Sequence, residues 1–251
     1  MSHLLADSAA IFRREALRYS RDRAYWIGQL VFPLAVVGFI GFGLNDVVHL
    51  PSGVDYKAHL ASGILMLLVG SGAVGGGFSL IEDRETGFLR ALLIAPVSRT
   101  SIVFGKIAAR LVASLVLVFV LVGILALFTP LHLASPVALV ASVGGVTIVF
   151  VSMGIALASR LRRLESFRLV AALATVPLYL FSGIFYPIET LPLGMRLLAY
   201  ANPLAYGVDL LRFGLLGVHE FPITLCVSML TGLSVLSAAV AVVGFDRSVR
   251  R

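Results

Sequence analysis

Glu82-Asp83-Arg84-Glu85-Thr86-Gly87-Phe88-Leu89-Arg90-Ala91-Leu92-Leu93-Ile94-Ala95-Pro96 is the stretch on which the reading of this chain turns. It is the densest interior cluster of charge in a very apolar sequence, and it lies between two segments each long enough to cross a bilayer. Its opening carboxylates suit the first turn of a helix, where they complement the free amides and the dipole. Ile81, Phe88, Leu89 and Leu92 recur at helical spacing, which leaves Asp83, Arg84 and Arg90 to water. Pro96 stops the helix. The spacing therefore predicts a short amphipathic helix from Glu82 to Pro96, lying where membrane meets water with its charged tip in a soluble phase.

The bulk numbers set the frame for that helix. Of 251 residues, 59% are hydrophobic and 13% are charged, far from the soluble average and in the range of an all-α integral membrane protein. A net charge of +7 would suit nucleic acid only if the basic residues gathered on a soluble surface. They lie beside apolar segments instead, so no nucleic-acid partner is expected. The single cysteine, Cys226, excludes an internal disulfide. Residues 1–23 are Arg-rich and lack the apolar core of a removable signal peptide. Leu5, Ala9, Phe12, Ala16 and Tyr19 recur along them at helical spacing, which predicts a basic helix in the membrane interface, facing lipid headgroups or a partner protein.

Six uncharged apolar stretches follow, at about 24–44, 59–81, 111–128, 136–159, 169–186 and 221–244, the third extendable back across Lys106 and Arg110 to give a span of about 102–128. Each is long enough to span the hydrocarbon core, so residues 24–251 are expected to form one six-span domain. Lys and Arg orient it. With the N-terminus inside, the inner segments carry 17 of these residues, clustered around Arg13–Arg23, Arg84–Arg110, Arg160–Arg168 and Arg247–Arg251. The outer segments carry Lys57, Arg196 and Arg212. Both termini and the Glu82–Pro96 helix are thus expected in the cytoplasm.

Gly70 to Gly77 contain a formal G-x-G-x-x-G, but no βαβ unit surrounds it. Gly72 and Gly76 form a G-x-x-x-G pair that allows close helix approach in lipid. Between the last two spans, Pro187 to Glu220 is too apolar for a plain loop. Asn202 is placed to cap a helix, Pro203 suits its first position, and Asp209 with Arg212 are spaced to pair. Two short helices forming a re-entrant hairpin at the outer face are expected, with Pro187, Asn202, Pro203, Tyr206, Asp209 and Arg212 as its marked residues.

At Glu82–Pro96 the sequence resembles the type-2 ATP-binding-cassette (ABC) transporter permeases, whose motif reads roughly Glu-Glu-Arg-Glu-x-Gly-Thr-Leu-Glu-x-Leu-Leu-x-Thr-Pro. Glu82, Arg84, Glu85, Gly87, Leu89, Leu92, Leu93 and Pro96 fall on that motif and Asp83 keeps its charge, whereas Phe88, Arg90 and Ala95 depart from it. Asn202-Pro203-Leu204-x-Tyr206-x-x-Asp209-x-Leu211-Arg212 is similar to the pattern before the last span in drug and lipo-oligosaccharide exporters of the same family. The resemblance implies that Glu82–Pro96 is the coupling helix on an ATPase subunit and that the hairpin caps the outer end of a pathway. It also implies two ATPase copies, a second permease chain, either identical or paralogous, and an amphiphilic substrate.

No charge falls near the middle of the spans as drawn, which disfavours proton or sodium coupling. The chain also lacks the G-x-x-x-x-G-K-[ST] needed to cradle nucleotide phosphates. ATP and Mg are therefore expected on the partner subunit, with no cofactor bound by this chain. His49, His59, His132 and His219 are not spaced for a metal. Two other readings stay open from sequence alone. One is a membrane-embedded lipid-modifying enzyme using Glu189, Asp209, His219 and Glu220, and the other is a structural or regulatory membrane protein without transport.

Overall fold

A computed structural model describes residues 2–94, 97–161 and 163–250, and no strand occurs among them. The helices are α1 (Ser2–Arg21), α2 (Arg23–Leu44), α3 (Tyr56–Glu85), α4 (Phe88–Ile94), α5 (Arg99–Leu125), α6 (Pro136–Arg160), α7 (Leu164–Leu180), α8 (Leu193–Tyr200), α9 (Pro203–Leu216) and α10 (Ile223–Arg250). Five of them, α2, α3, α5, α6 and α10, are long and apolar enough to cross a membrane. The chain is a multi-pass, all-helical membrane protein. The fifth expected span corresponds to α7, a helix of 17 residues. It contains Pro177, whose missing amide weakens the last turns, and the chain turns back after Leu180 with Gly183 at φ +76°.

The helix α6 lies at the centre, packed on α3, α5, α9 and α10. Helix approach in lipid depends on small residues rather than on expulsion of water, and α3 meets α6 through glycines. A Cβ on Gly77 would lie 2.4 Å from the carbonyl oxygen of Gly154, and one on Gly76 would meet Val151 at 2.8 Å. The outward faces of α2, α7 and α10 are apolar. Ile27, Phe39, Leu169, Leu173, Val235 and Leu236 are all exposed, which fits a protein whose surrounding solvent is acyl chain.

Ser98 caps α5, its hydroxyl accepting from the Ser101 amide at 3.1 Å. Ser135 does the same for α6, with Pro136 in the first turn. These caps set where the two helices begin.

Candidate functional site

The marked segment is divided differently from the sequence expectation. Glu82, Asp83, Arg84 and Glu85 form the last turn of α3, not the first turn of a new helix. Gly87 then adopts φ +75°, a left-handed conformation that ends a helix without the penalty a side chain would bring. The short helix α4 begins only at Phe88. Pro96, expected to stop it, lies outside the described residues, and so do the side chains of Arg90 and Leu93.

Carboxylates at a helix C-terminus oppose the dipole, so this turn needs compensating cations. Asp83 is 1% exposed, contrary to the expectation that it faces water. Its Oδ2 accepts from Lys106 Nζ of α5 at 2.6 Å, and its Oδ1 accepts from Arg14 Nη2 of α1 at 2.7 Å. Lys106 Nζ also donates to Glu15 Oε1 at 2.8 Å and contacts the Ser79 hydroxyl. Glu15 is fully buried. The cluster of Glu15, Lys106, Asp83 and Ser79 therefore joins α1, α3 and α5 at one end of the bundle, each charge being paired where it is desolvated.

Arg14 extends this cluster to α4. Its guanidinium lies 3.7 Å from the centroid of the Phe88 ring, a cation–π contact between α1 and the first residue of α4. Phe88 is one of the departures from the family motif, and Arg14 explains what the ring does there. Leu89 is buried and Leu92 half-buried, anchoring α4 from below. Glu82 and Glu85 are exposed, Glu82 with Arg18 of α1 at 2.6 Å. Arg84 turns inward and donates to the carbonyls of Ala158 and Leu161 at 3.4 and 3.2 Å. The surface presented to solvent is thus two carboxylates above a short, internally braced helix.

The N-terminal helix also differs from expectation. Its buried face is centred on Ile11 and Glu15, while Ala9 of the expected stripe is exposed. Gly105 of α5 permits this contact, since a Cβ there would meet Ile11 at 2.8 Å.

At the opposite end, Asp209 and Arg212 do not pair with each other. The Asp209 carboxylate accepts the backbone amides of Glu220 and Phe221 at 2.7 and 3.0 Å, fixing the turn from α9 into α10. Arg212, 3% exposed, donates to Glu220 Oε1 at 3.2 Å and to the carbonyl of Gly183 at 2.8 Å. It also meets His59 Nε2 of α3 at 3.2 Å; because arginine only donates, that nitrogen is the acceptor. Burial pushes the Glu220 carboxyl above the usual glutamate range, against the pull of the Arg212 guanidinium.

Asn202 closes two helices at once. Its Oδ1 accepts from the Leu204 amide at 3.0 Å, capping α9, and its Nδ2 donates to the carbonyls of Leu178 and Phe181 at 2.6 and 3.0 Å, closing α7. Pro203 occupies the first turn of α9. The Tyr206 hydroxyl donates to the carbonyl of Tyr200 at the end of α8. Pro187 accepts from the Thr190 amide in a short 3₁₀ turn, beside which the Ile188 amide donates to Glu220 at 2.8 Å. The second motif is thus a set of braces holding α3, α7, α8, α9 and α10 together.

Sequence reasoning missed Glu15, Ser79 and the bracing roles of His59 and Glu220. Glu15 carried one signal, a carboxylate set among the arginines of α1. No metal-binding group of three or more ligands occurs among the described residues.

The profile of a family described as ABC-2 type transporter matches residues 8–216. The transport permease ycf38 of Porphyra purpurea is 30% identical over 216 residues, 84% of this chain and 74% of the relative. The inner membrane transport permease YadH of Escherichia coli (strain K12) is 24% identical over 219 residues, 85% of this chain and 84% of the relative. Nodulation protein J of Rhizobium leguminosarum bv. viciae is 26% identical over 216 residues, 83% and 82% of the two chains.

Proposed function

This chain belongs to the ABC-2 type transporter family, and from that premise we propose that it is the permease subunit of an ATP-driven exporter. In this reading α7 completes a six-span arrangement, with both termini and the α3–α4 junction in the cytoplasm. Two such chains, identical or paralogous, pair with two ATPase subunits that hold ATP and Mg. Relatives with transport permease in their names support a permease, and the inner membrane in the name of the Escherichia coli relative supports placing this one in a bacterial or archaeal inner membrane. The substrate is an amphiphile, a hydrophobic drug or a lipid-linked saccharide, which fits a bundle whose outward faces are apolar.

The observation that carries the reading is the construction of the α3–α4 junction. Exposed Glu82 and Glu85 offer a contact surface to a partner, and α4 rests on buried Leu89 and on Arg14. A push on α4 passes through direct side-chain contacts of Arg14 and Asp83 into α1, α3 and α5. ATPase closure would move these helices as one lever. At the other end the braces of Asn202, Tyr206, Asp209 and Arg212 keep the hairpin rigid, so that it caps the pathway between two chains. The test is purification of the chain with its ATPase and measurement of ATPase stimulation after charge reversal at Glu82 and Glu85. Unchanged stimulation would remove the docking assignment.

A further inference from the structure

A cavity of about 1440 Å³ lies between α6, α7 and α10 and reaches α3 and α4 at Val74, Arg84 and Leu89, larger than the roughly 300–1000 Å³ of small-molecule pockets. Phe150, Met153, Leu178 and Val240 give it an apolar wall. It opens sideways onto the lipid-facing surface, since Met153 is 45% and Val240 50% exposed. The helix α7 packs chiefly on α3 and α6, which leaves the space on its α10 side to be filled.

One end of this cavity is basic. Arg84, Arg160 and Arg247 line it, and no Asp or Glu is among its described lining residues. Arg84 is engaged with the carbonyls of Ala158 and Leu161. Arg160, in the last turn of α6, and Arg247, near the end of α10, are exposed and form no salt bridge among the described residues. Complementing helix dipoles accounts for a cation at each of these ends. It does not account for both reaching one cavity whose remaining wall is apolar.

We infer that the cavity holds an anionic lipid of the leaflet on this basic side, an acyl chain along the apolar wall and the phosphate headgroup on Arg160 and Arg247. Bilayer interior is as apolar as the cavity wall, so the chain contributes shape and the headgroup charge contributes selectivity. Two arginines near a membrane surface correspond to roughly a ten- to thirtyfold preference for an anionic over a zwitterionic headgroup. The occupant supplies the surface that α7 lacks towards α10.

The test is native mass spectrometry of the detergent-purified chain, titrated with phosphatidylglycerol and with phosphatidylcholine of the same acyl composition. The expected result is tighter binding of phosphatidylglycerol, a preference abolished in Arg160→Gln/Arg247→Gln and kept in Arg196→Gln at the opposite end. Ala174→Trp, which fills the cavity from α7, should lower occupancy by both lipids. Equal binding of the two lipids, or a preference that survives the double substitution, would overturn the inference. So would loss of the preference in excess inorganic phosphate, which would show the headgroup anion alone to be the ligand. Ready disulfide dimerisation of Val240→Cys in a Cys226→Ser background would also overturn it, by showing a second copy of the chain over the opening. The readout needs no ATPase, so its failure is distinguishable from failure of the transport reading.

Discussion

The ammonium of Lys106 lies 2.6 Å from the Asp83 carboxylate, and both side chains are almost wholly shielded from solvent. One residue thus fastens the end of α3 to α5, and Glu15 at 2.8 Å brings α1 to the same ammonium. The lever proposed at the α3–α4 junction depends on this knot staying tied.

Lys106→Met leaves the buried carboxylates of Glu15 and Asp83 with only the part-exposed Arg14 guanidinium between them, at 3.0 and 2.7 Å. Removing one partner of a buried pair costs about 3–5 kcal/mol, so the apparent melting temperature in detergent should fall sharply. Adding Glu15→Gln and Asp83→Asn should restore most of it, because the charges that needed Lys106 are gone. Equal melting of the single and triple variants would show that the cluster is not a matched set.

The contact of Arg14 with Phe88 is testable by a double-mutant cycle. Arg14→Ala and Phe88→Ala should couple by about 0.5–2 kcal/mol, and each should reduce ATPase stimulation in the complex while membrane insertion is kept. Strict additivity in both readouts would show that the ring and the guanidinium act independently.

Much of this architecture is legible in the residues themselves. Apolar runs at Arg23–Leu44, Pro136–Arg160 and Ile223–Ser248 fall close to the expected spans, because length and hydropathy suffice in lipid. Boundaries near charge are where the reading departs. Helix propensity favours placing Glu82 to Glu85 at a helix start, yet α3 continues through them, since Arg14 and Lys106 arrive from distant sequence to neutralise Asp83. Asp209 and Arg212 are correctly placed on one helix. Local spacing suggests they pair, but each finds a better-oriented partner across a tertiary contact, the Glu220 and Phe221 amides for one and Glu220, Gly183 and His59 for the other. Such partners are set by packing, which periodicity does not encode.

Asn202→Ala should loosen two helix ends together. Loss of the α9 cap costs about 1 kcal/mol, and the orphaned carbonyls of Leu178 and Phe181 add a comparable amount. Amide hydrogen exchange should quicken at the start of α9 and in the turn after α7, whereas Asn202→Asp should spare the α9 cap and disturb the α7 end alone. Protection unchanged in both regions would show that the double closure contributes nothing.

Glu220 gives the clasp between α9 and α10 a pH dependence. Its carboxyl is raised above the ordinary value of 4.5 by burial. As pH rises through the window above 4.5, the unfolded chain therefore loses this proton before the native chain does. Native stability from this group is full below that window and declines through it. Glu220→Gln keeps an acceptor for Arg212 and has no such proton, so wild type should lose melting temperature relative to the variant between acid and neutral pH. Parallel curves would contradict the raised value.

The most direct test of the docking claim is made on the chain reconstituted with its ATPase subunit. Recovery of that subunit in a pull-down and the rate of ATP hydrolysis would be compared between wild type, Glu82→Lys/Glu85→Lys and Arg18→Gln. The last variant breaks only the exposed pair with Glu82, worth about 0–1 kcal/mol. The account predicts that the charge reversals lose the ATPase subunit or its stimulation, with melting temperature and insertion retained, and that Arg18→Gln keeps both. Full recovery of a stimulated ATPase with both carboxylates reversed would contradict it.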